Sequence, residues 1–280
     1  MLFRSVPTLR VLIAEDNPVN QKVALHLFEK IGIHADAVDN GAQVLDAIER
    51  TRYDVVFMDC QMPELDGYAA TGEIRRREAG RRHTWIVAMT AHSLEGDRDK
   101  CLNAGMDDYV SKPVKPEMLE AALARFIEHS APASAAGKSR SADDTGTPIS
   151  EQAVPADDEA TTAAPVDLRA LDGFRELDSA GSGGILTQLI SVFLENTPNI
   201  IAEGRAALAG KSAPKLARAA HTLKGSCSNF GANSLRAACE RLEFAALANS
   251  LGSAEKMLDA IEREFGFVRT ALERELSACA

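Results

Sequence analysis

This chain lacks an excess of positive charge. Its 31 lysines and arginines face 41 acidic residues, a net charge of −10 with a pI near 5.2. Sequence-independent binding to nucleic acid needs a basic face for phosphate, so no nucleic-acid partner is expected. The one dense basic run, the arginines at 75–77 and 81–82, reads as a solvated helix end and the loop after it. Long apolar runs are missing too: none approaches the roughly 18–20 residues that cross a bilayer. The N-terminal MLFRSVPTLR has no extended apolar stretch of the kind a secretory signal needs. The five cysteines (Cys60, Cys101, Cys227, Cys239, Cys279) show no CxxC spacing, which argues against thiolate metal sites and a disulfide framework. Reduced thiols in a soluble cytoplasmic chain are expected.

What is present divides the chain in three. With 280 residues and 45% hydrophobic content, it has enough apolar side chain for more than one core. Residues 9–129 alternate short β-branched runs at 10–14, 35–38, 55–58, 86–89 and 109–110 with helix-length stretches near 18–31, 41–50, 67–79, 94–104 and 116–128. Runs such as VLIA and DVVFM fit strands covered on both faces, so a doubly wound, five-stranded parallel sheet is expected. From 130 to 165 the texture turns to Ala, Ser, Thr and Pro with little to bury, which reads as a flexible tether. As a random coil it spans roughly 30–36 Å root-mean-square. From 167 onward helical periodicity takes over at 167–177, 185–209, 213–229, 232–249 and 254–277, predicting an antiparallel bundle with a kink at Pro198. GSGG at 181–184 has no strand before it and no GK[ST] after it, so it reads as the loop ahead of a helix.

In an open parallel sheet, ligands gather at the carboxyl ends of the strands. Four polar features end strands here: Glu15 and Asp16, Asp59, Thr90, and Lys112. Three carboxylates in one crevice repel each other unless a hard cation sits among them, and magnesium suits oxygen ligands and a substrate phosphate. Thr90 can offer a hydrogen bond and Lys112 a charge to phosphoryl oxygens, which leaves Asp59 as the nucleophile of an acyl phosphate.

These residues carry a resemblance. IAEDN, FMDCQMPELDG, AMTAH and YVSKP together resemble the flavodoxin-like receiver domain of two-component response regulators, over residues 8–129. The resemblance implies that Asp59 is the phosphorylated aspartate and that Glu15 and Asp16 hold magnesium with the backbone carbonyl of Gln61. It also implies that Thr90 and Tyr109 form a switch pair, and that Lys112 contacts the phosphate ahead of a cis Pro113.

Of the six histidines, His26, His34, His83, His92 and His129 read as structural or surface residues; His221 differs. At about 100° per residue, Leu216, Ala220, Leu223 and Cys227 form a core stripe, and His221 lies roughly 130° from it, toward solvent. Gly225 sits one turn on, at a helix-interior cost of about 1 kcal/mol relative to Ala, which makes sense if a docking partner needs the space. Arg218 and Lys224 can meet phosphoryl oxygens around a neutral imidazole nucleophile. From the residues alone, an ordinary exposed histidine on a bundle remains the alternative.

GGILTQLISVFLENTP followed by AHTLKGSCSNFGANSLRAACERLE resembles a histidine-containing phosphotransfer (HPt) domain, over 167–277. That resemblance implies a phosphorylated His221 with Lys224 and Gly225 beside it, in a bundle that borrows its chemistry from a receiver. Together the two resemblances imply a phosphorelay, as at the C-terminus of hybrid sensor histidine kinases. Asp59 would take phosphate from a sensor histidine kinase with magnesium assistance, and His221 would pass it to a downstream receiver or response regulator. A phosphate sink running in reverse, or a non-catalytic interaction tail, are the other readings. No ATP-dependent kinase domain and no DNA-binding output segment is legible between these stretches.

Overall fold

The computed structural model describes residues 9–90, 95–130, 164–177 and 184–279. Strands β1 (Val11–Ala14), β2 (Ala35–Val38), β3 (Val55–Asp59), β4 (Trp85–Thr90) and β5 (Asp108–Ser111) alternate with helices α1 (Pro18–Lys30), α2 (Gly41–Arg50), α3 (Gly67–Glu78), α4 (Glu95–Asn103) and α5 (Pro116–Ser130). The strands pair in parallel in the order β2-β1-β3-β4-β5. Every residue of β1, β3 and β4 is buried. That explains their unbroken apolar runs: helices cover both faces, so no position is left to alternate with solvent. The order reverses between β1 and β3, which opens a crevice beyond their carboxyl ends.

Short polar caps start the helices around that crevice. Asn17 opens α1, its Oδ1 accepting the amides of Val19 at 2.9 Å and Asn20 at 3.3 Å. Asn40 and Asp66 cap α2 and α3 in the same way. Such a cap stabilises a helix by about 1 kcal/mol and also fixes where the preceding strand must end.

The bundle consists of α7 (Ile185–Ala209), α8 (Ala213–Asn229), α9 (Asn233–Leu247) and α10 (Ala254–Cys279). The single helix expected at 167–177 is instead a 3-10 turn, Leu168–Leu171, followed by α6 (Asp172–Leu177). Asp167 takes the Arg169 amide at 3.1 Å, which tightens the first turn before the helix proper begins. Helix α7 runs unbroken through Pro198. Thr197 Oγ1 donates to the Phe193 carbonyl at 2.7 Å, and Asn196 to that of Val192 at 2.8 Å, so side chains reinforce the turn ahead of the proline. The expected tether falls almost wholly on 131–163, outside the described residues.

One buried apolar cluster runs from the α1/α5 face of the sheet into the bundle, with α1 lying against α7 and α8. A second cluster fills the opposite face beneath α2, α3 and α4. The bundle is therefore docked on the α/β unit, beside the crevice.

Candidate functional site

Glu15 follows β1, Asp59 ends β3 and Lys112 follows β5; the peptide between Lys112 and Pro113 is cis, as expected. Glu15 and Asp59 are 2% and 4% exposed. Each offers a carboxylate oxygen that lies, together with one from Asp16, within 4.8 Å of the others. Lys112 Nζ stands 2.6 Å from both Glu15 Oε2 and Asp59 Oδ2. The Gln61 amide donates to Asp59 Oδ1 at 3.1 Å, so the loop after β3 turns back over the acceptor. Gly67 closes that loop: a Cβ there would fall 2.2 Å from the Asp59 carbonyl oxygen, which only glycine avoids.

Three carboxylates and one ammonium leave an excess of negative charge in a buried place. Burial, the largest effect, raises the Glu15 carboxyl, with Asp59 adding to it against the pull of Lys112. Asp16 is pushed up to about 7 by burial and by the charges of Glu15 and Asp59. Burial acts to discharge Lys112, but Asp59 and Glu15 outweigh it and hold the ammonium above the usual lysine range. An all-oxygen donor set in which Glu15 and Asp16 resist ionising fits a hard divalent cation, which would relieve that repulsion.

His221 lies in the middle of α8 and is 16% exposed at its side chain. Its Nδ1 is 2.6 Å from Glu243 Oε1 on α9, and Lys224 Nζ is 2.5 Å from Glu243 Oε2. Burial opposes ionisation of Glu243, yet the hydrogen bonds and charges of His221 and Lys224 hold its carboxyl below the usual range. A carboxylate on Nδ1 fixes that nitrogen as the donor and leaves Nε2 with its lone pair. The expectation of a solvent-facing imidazole is corrected. One helix's periodicity takes His221 off the core stripe, but it does not say that α9 and the α/β unit cover that side. Lys224, at the core boundary of α8, is buried and paired with Glu243. Arg218 is exposed, and its charge reaches Asp16 on the other unit.

The two halves face one cavity of about 380 Å³, lined by Asp16, Asp59 and Lys112 from one side and His221, Lys224 and Gly225 from the other. The docking contacts around it are polar and specific. Asn17 Nδ2 donates to the Thr222 carbonyl at 2.8 Å and to Ser226 Oγ at 2.6 Å. Because Asn17 Oδ1 caps α1, its NH2 group can only point at α8. Asn229 Nδ2 donates to Asn20 Oδ1 at 2.7 Å. A Cβ on Gly225 would stand 3.2 Å from Asn20 Nδ2, so this glycine does clear room for a facing side chain.

A family model described as the response regulator receiver domain matches residues 11–124, and one described as the Hpt domain matches residues 188–278. This chain joins a receiver domain to an Hpt domain. Hybrid signal transduction histidine kinase K of Dictyostelium discoideum is 43% identical over 43% of this chain and 10% of its own length. Sensor histidine kinase GacS of Pseudomonas protegens is 31% identical over 84% of this chain and 24% of its own length. This chain thus spans a quarter or less of the length of these relatives. The receiver domain of a sensor histidine kinase from Pseudomonas aeruginosa PAO1, whose crystal structure has a magnesium ion coordinated in the active site cleft, is 47% identical. It covers 44% of this chain and 99% of its own, with a TM-score of 0.40. Among the described residues, no helix is long and apolar enough to cross a membrane.

Within the receiver, Thr90 is buried at the end of β4, and its carbonyl accepts the Lys112 amide at 2.7 Å. Tyr109 is 37% exposed with the Arg98 guanidinium 5.9 Å from its ring centroid. Neither lines the cavity. Arg75 departs from the solvated reading of the basic run: its guanidinium bonds Gly105 O, Thr84 O, Glu78 and Asp107, tying α3 to the loops flanking α4 and β4. Of the other histidines, His26 is buried, His83 bonds Asp107, His129 packs on Trp85 and His34 is exposed. His92 lies outside the described residues. On the Hpt side, sequence reasoning missed Glu243. Its only signal is an acidic residue in an otherwise apolar stretch, LEFAAL, and its partner lies on another helix.

Proposed function

We propose that this chain is a phosphorelay element in which Asp59 and His221 exchange a phosphoryl group within one molecule. The observation that carries the reading is the shared cavity, with Lys112 at the aspartate and Lys224 near the histidine. Phosphate on an Asp59 oxygen is an acyl phosphate. The Nε2 lone pair of His221 attacks phosphorus, the bond to the Asp59 oxygen breaks, and that oxygen leaves as carboxylate. Glu243 stabilises the positive imidazole of the resulting phosphoramidate by accepting from Nδ1–H. Lys112 remains beside Asp59 to balance the leaving carboxylate. Burial of Asp59 and partial cover over His221 limit the access of water to the group.

Glu15, Asp16 and Asp59 would hold magnesium together with the Gln61 carbonyl, and the ion supplies charge neutralisation of the phosphoryl oxygens. Thr90 and Tyr109 act as the switch pair, with the outward Tyr109 turning inward once Asp59 carries phosphate. A histidine kinase supplies the phosphate, a further receiver takes it from His221, and the setting is cytoplasmic. The named relatives, hybrid and sensor histidine kinases, support a relay segment within that kind of system.

The test labels the purified chain with radioactive phosphate from a donor kinase, with and without magnesium. Acid-labile, base-stable label on His221 only when Asp59 and magnesium are both present supports the relay. Label that turns over on Asp59 while His221 stays empty would make the chain a phosphate sink. Mixing Asp59→Asn chains with His221→Gln chains separates the routes, since transfer within one molecule yields no labelled histidine in the mixture.

A further inference from the structure

Asn20 stands where the acidic cluster and the docked bundle meet. Its Nδ2 donates to Glu15 Oε1 at 2.9 Å, while its Oδ1 accepts from Asn229 Nδ2 at 2.7 Å. The two ends of a primary amide are not interchangeable, since one only donates and the other only accepts. With its oxygen held by Asn229, the NH2 end is turned to the carboxylate. Flipped over, the amide would set an oxygen against an oxygen. The other oxygen of Glu15 takes Lys112 at 2.6 Å. Both oxygens of this buried carboxylate are therefore held, one by the receiver's own lysine and one by a side chain whose direction the Hpt domain sets. Asn17 shows the contrast: it too reaches α8, but its oxygen is spent on the α1 cap and its bonds do not reach the carboxylates.

We propose that Asn20 is a positioning residue through which docking of the Hpt domain sets the Glu15 carboxylate and so raises the receiver's affinity for magnesium. The inference rests on the metal site proposed above. Coupling of this kind is reciprocal: the factor that docking adds to metal affinity is the factor that metal adds to docking. The ion is then held most tightly in the docked state, where His221 faces Asp59. It is released more readily when the Hpt domain swings away to another receiver.

Calorimetric titration of magnesium into the full, unphosphorylated chain tests this, with Asn20→Ala, Asn229→Ala and the double variant alongside. Asn229 touches no carboxylate of the cluster in the hydrogen bonds described, so a merely structural role for it would leave metal affinity alone. The expected result is a loss of about three- to tenfold for Asn229→Ala, the range for one hydrogen bond, and at least as much for Asn20→Ala. The double variant should match Asn20→Ala, because Asn229 acts through it. Thermal melts in EDTA show that each variant is folded. Unchanged affinity in Asn229→Ala, or losses that add in the double variant, would overturn the coupling. If the unsubstituted chain takes up no magnesium, the metal site itself fails and the coupling with it. Intact coupling alongside failed transfer to His221 would remove the relay and leave the inference standing.

Discussion

Asp59 and His221 line the same cavity, one from the end of a strand and the other from the middle of a helix in a different domain. Neither domain alone holds both residues. For the proposed transfer, sharing one cavity would turn a bimolecular encounter into a positioned one, and positioning is most of what phosphoryl transfer asks of a protein.

The acidic cluster stores repulsion that a single substitution should release. Asp16→Asn removes one of three crowded carboxylates, and without metal its melting temperature should rise by roughly 2–4 °C per kcal/mol relieved. Magnesium should stabilise the unsubstituted chain, and that gain should shrink or vanish in the variant. Differential scanning calorimetry with EDTA and with saturating magnesium measures both. A lower melting temperature without metal would show that the Asp16 carboxylate is not under repulsion.

Glu243 should matter to rate and to stability in separable ways. Glu243→Gln keeps the size but offers an amide to Nδ1, so transfer from Asp59 to His221 should slow by about tenfold or more. On stability the sign follows from the depressed carboxyl. Folding favours the ionised form, so the contribution is fully present above the ordinary value of 4.5 and is lost as pH falls through the lower folded value. Denaturant titrations should find Glu243→Gln destabilised at neutral pH, with the gap to the unsubstituted chain closing as pH is taken below about 4.5.

Gly225 sets helix propensity against docking. Gly225→Ala should strengthen α8 by up to about 1 kcal/mol. Its new methyl group would stand 3.2 Å from Asn20 Nδ2, tight enough that the amide must give. Hydrogen exchange should therefore slow within α8 and speed up at the start of α1, and transfer between Asp59 and His221 should slow. Faster transfer with tighter exchange on α1 would show that the glycine is not there to seat Asn20.

The sequence by itself determined whatever depends on near neighbours. Unbroken apolar runs fixed β1, β3 and β4, because a strand covered on both faces has no polar position to spare. Chain alternation then put Glu15, Asp16, Asp59, Thr90 and Lys112 at one sheet edge without any contact being known. Helical periodicity likewise took His221 off the core of its own bundle. Tertiary structure decided what covers each face. Glu243 is bound to His221 and Lys224 only because α9 packs across α8, a pairing that periodicity within one helix cannot express. Asn17 caps α1 and Asn20 lies in its first turn, yet their side chains also bond Thr222, Ser226 and Asn229 on α8. Such recognition depends on how two separately folded surfaces meet. Hydrophobic pattern sets which side of an element is buried, and directional hydrogen bonds between distant residues set what it is buried against.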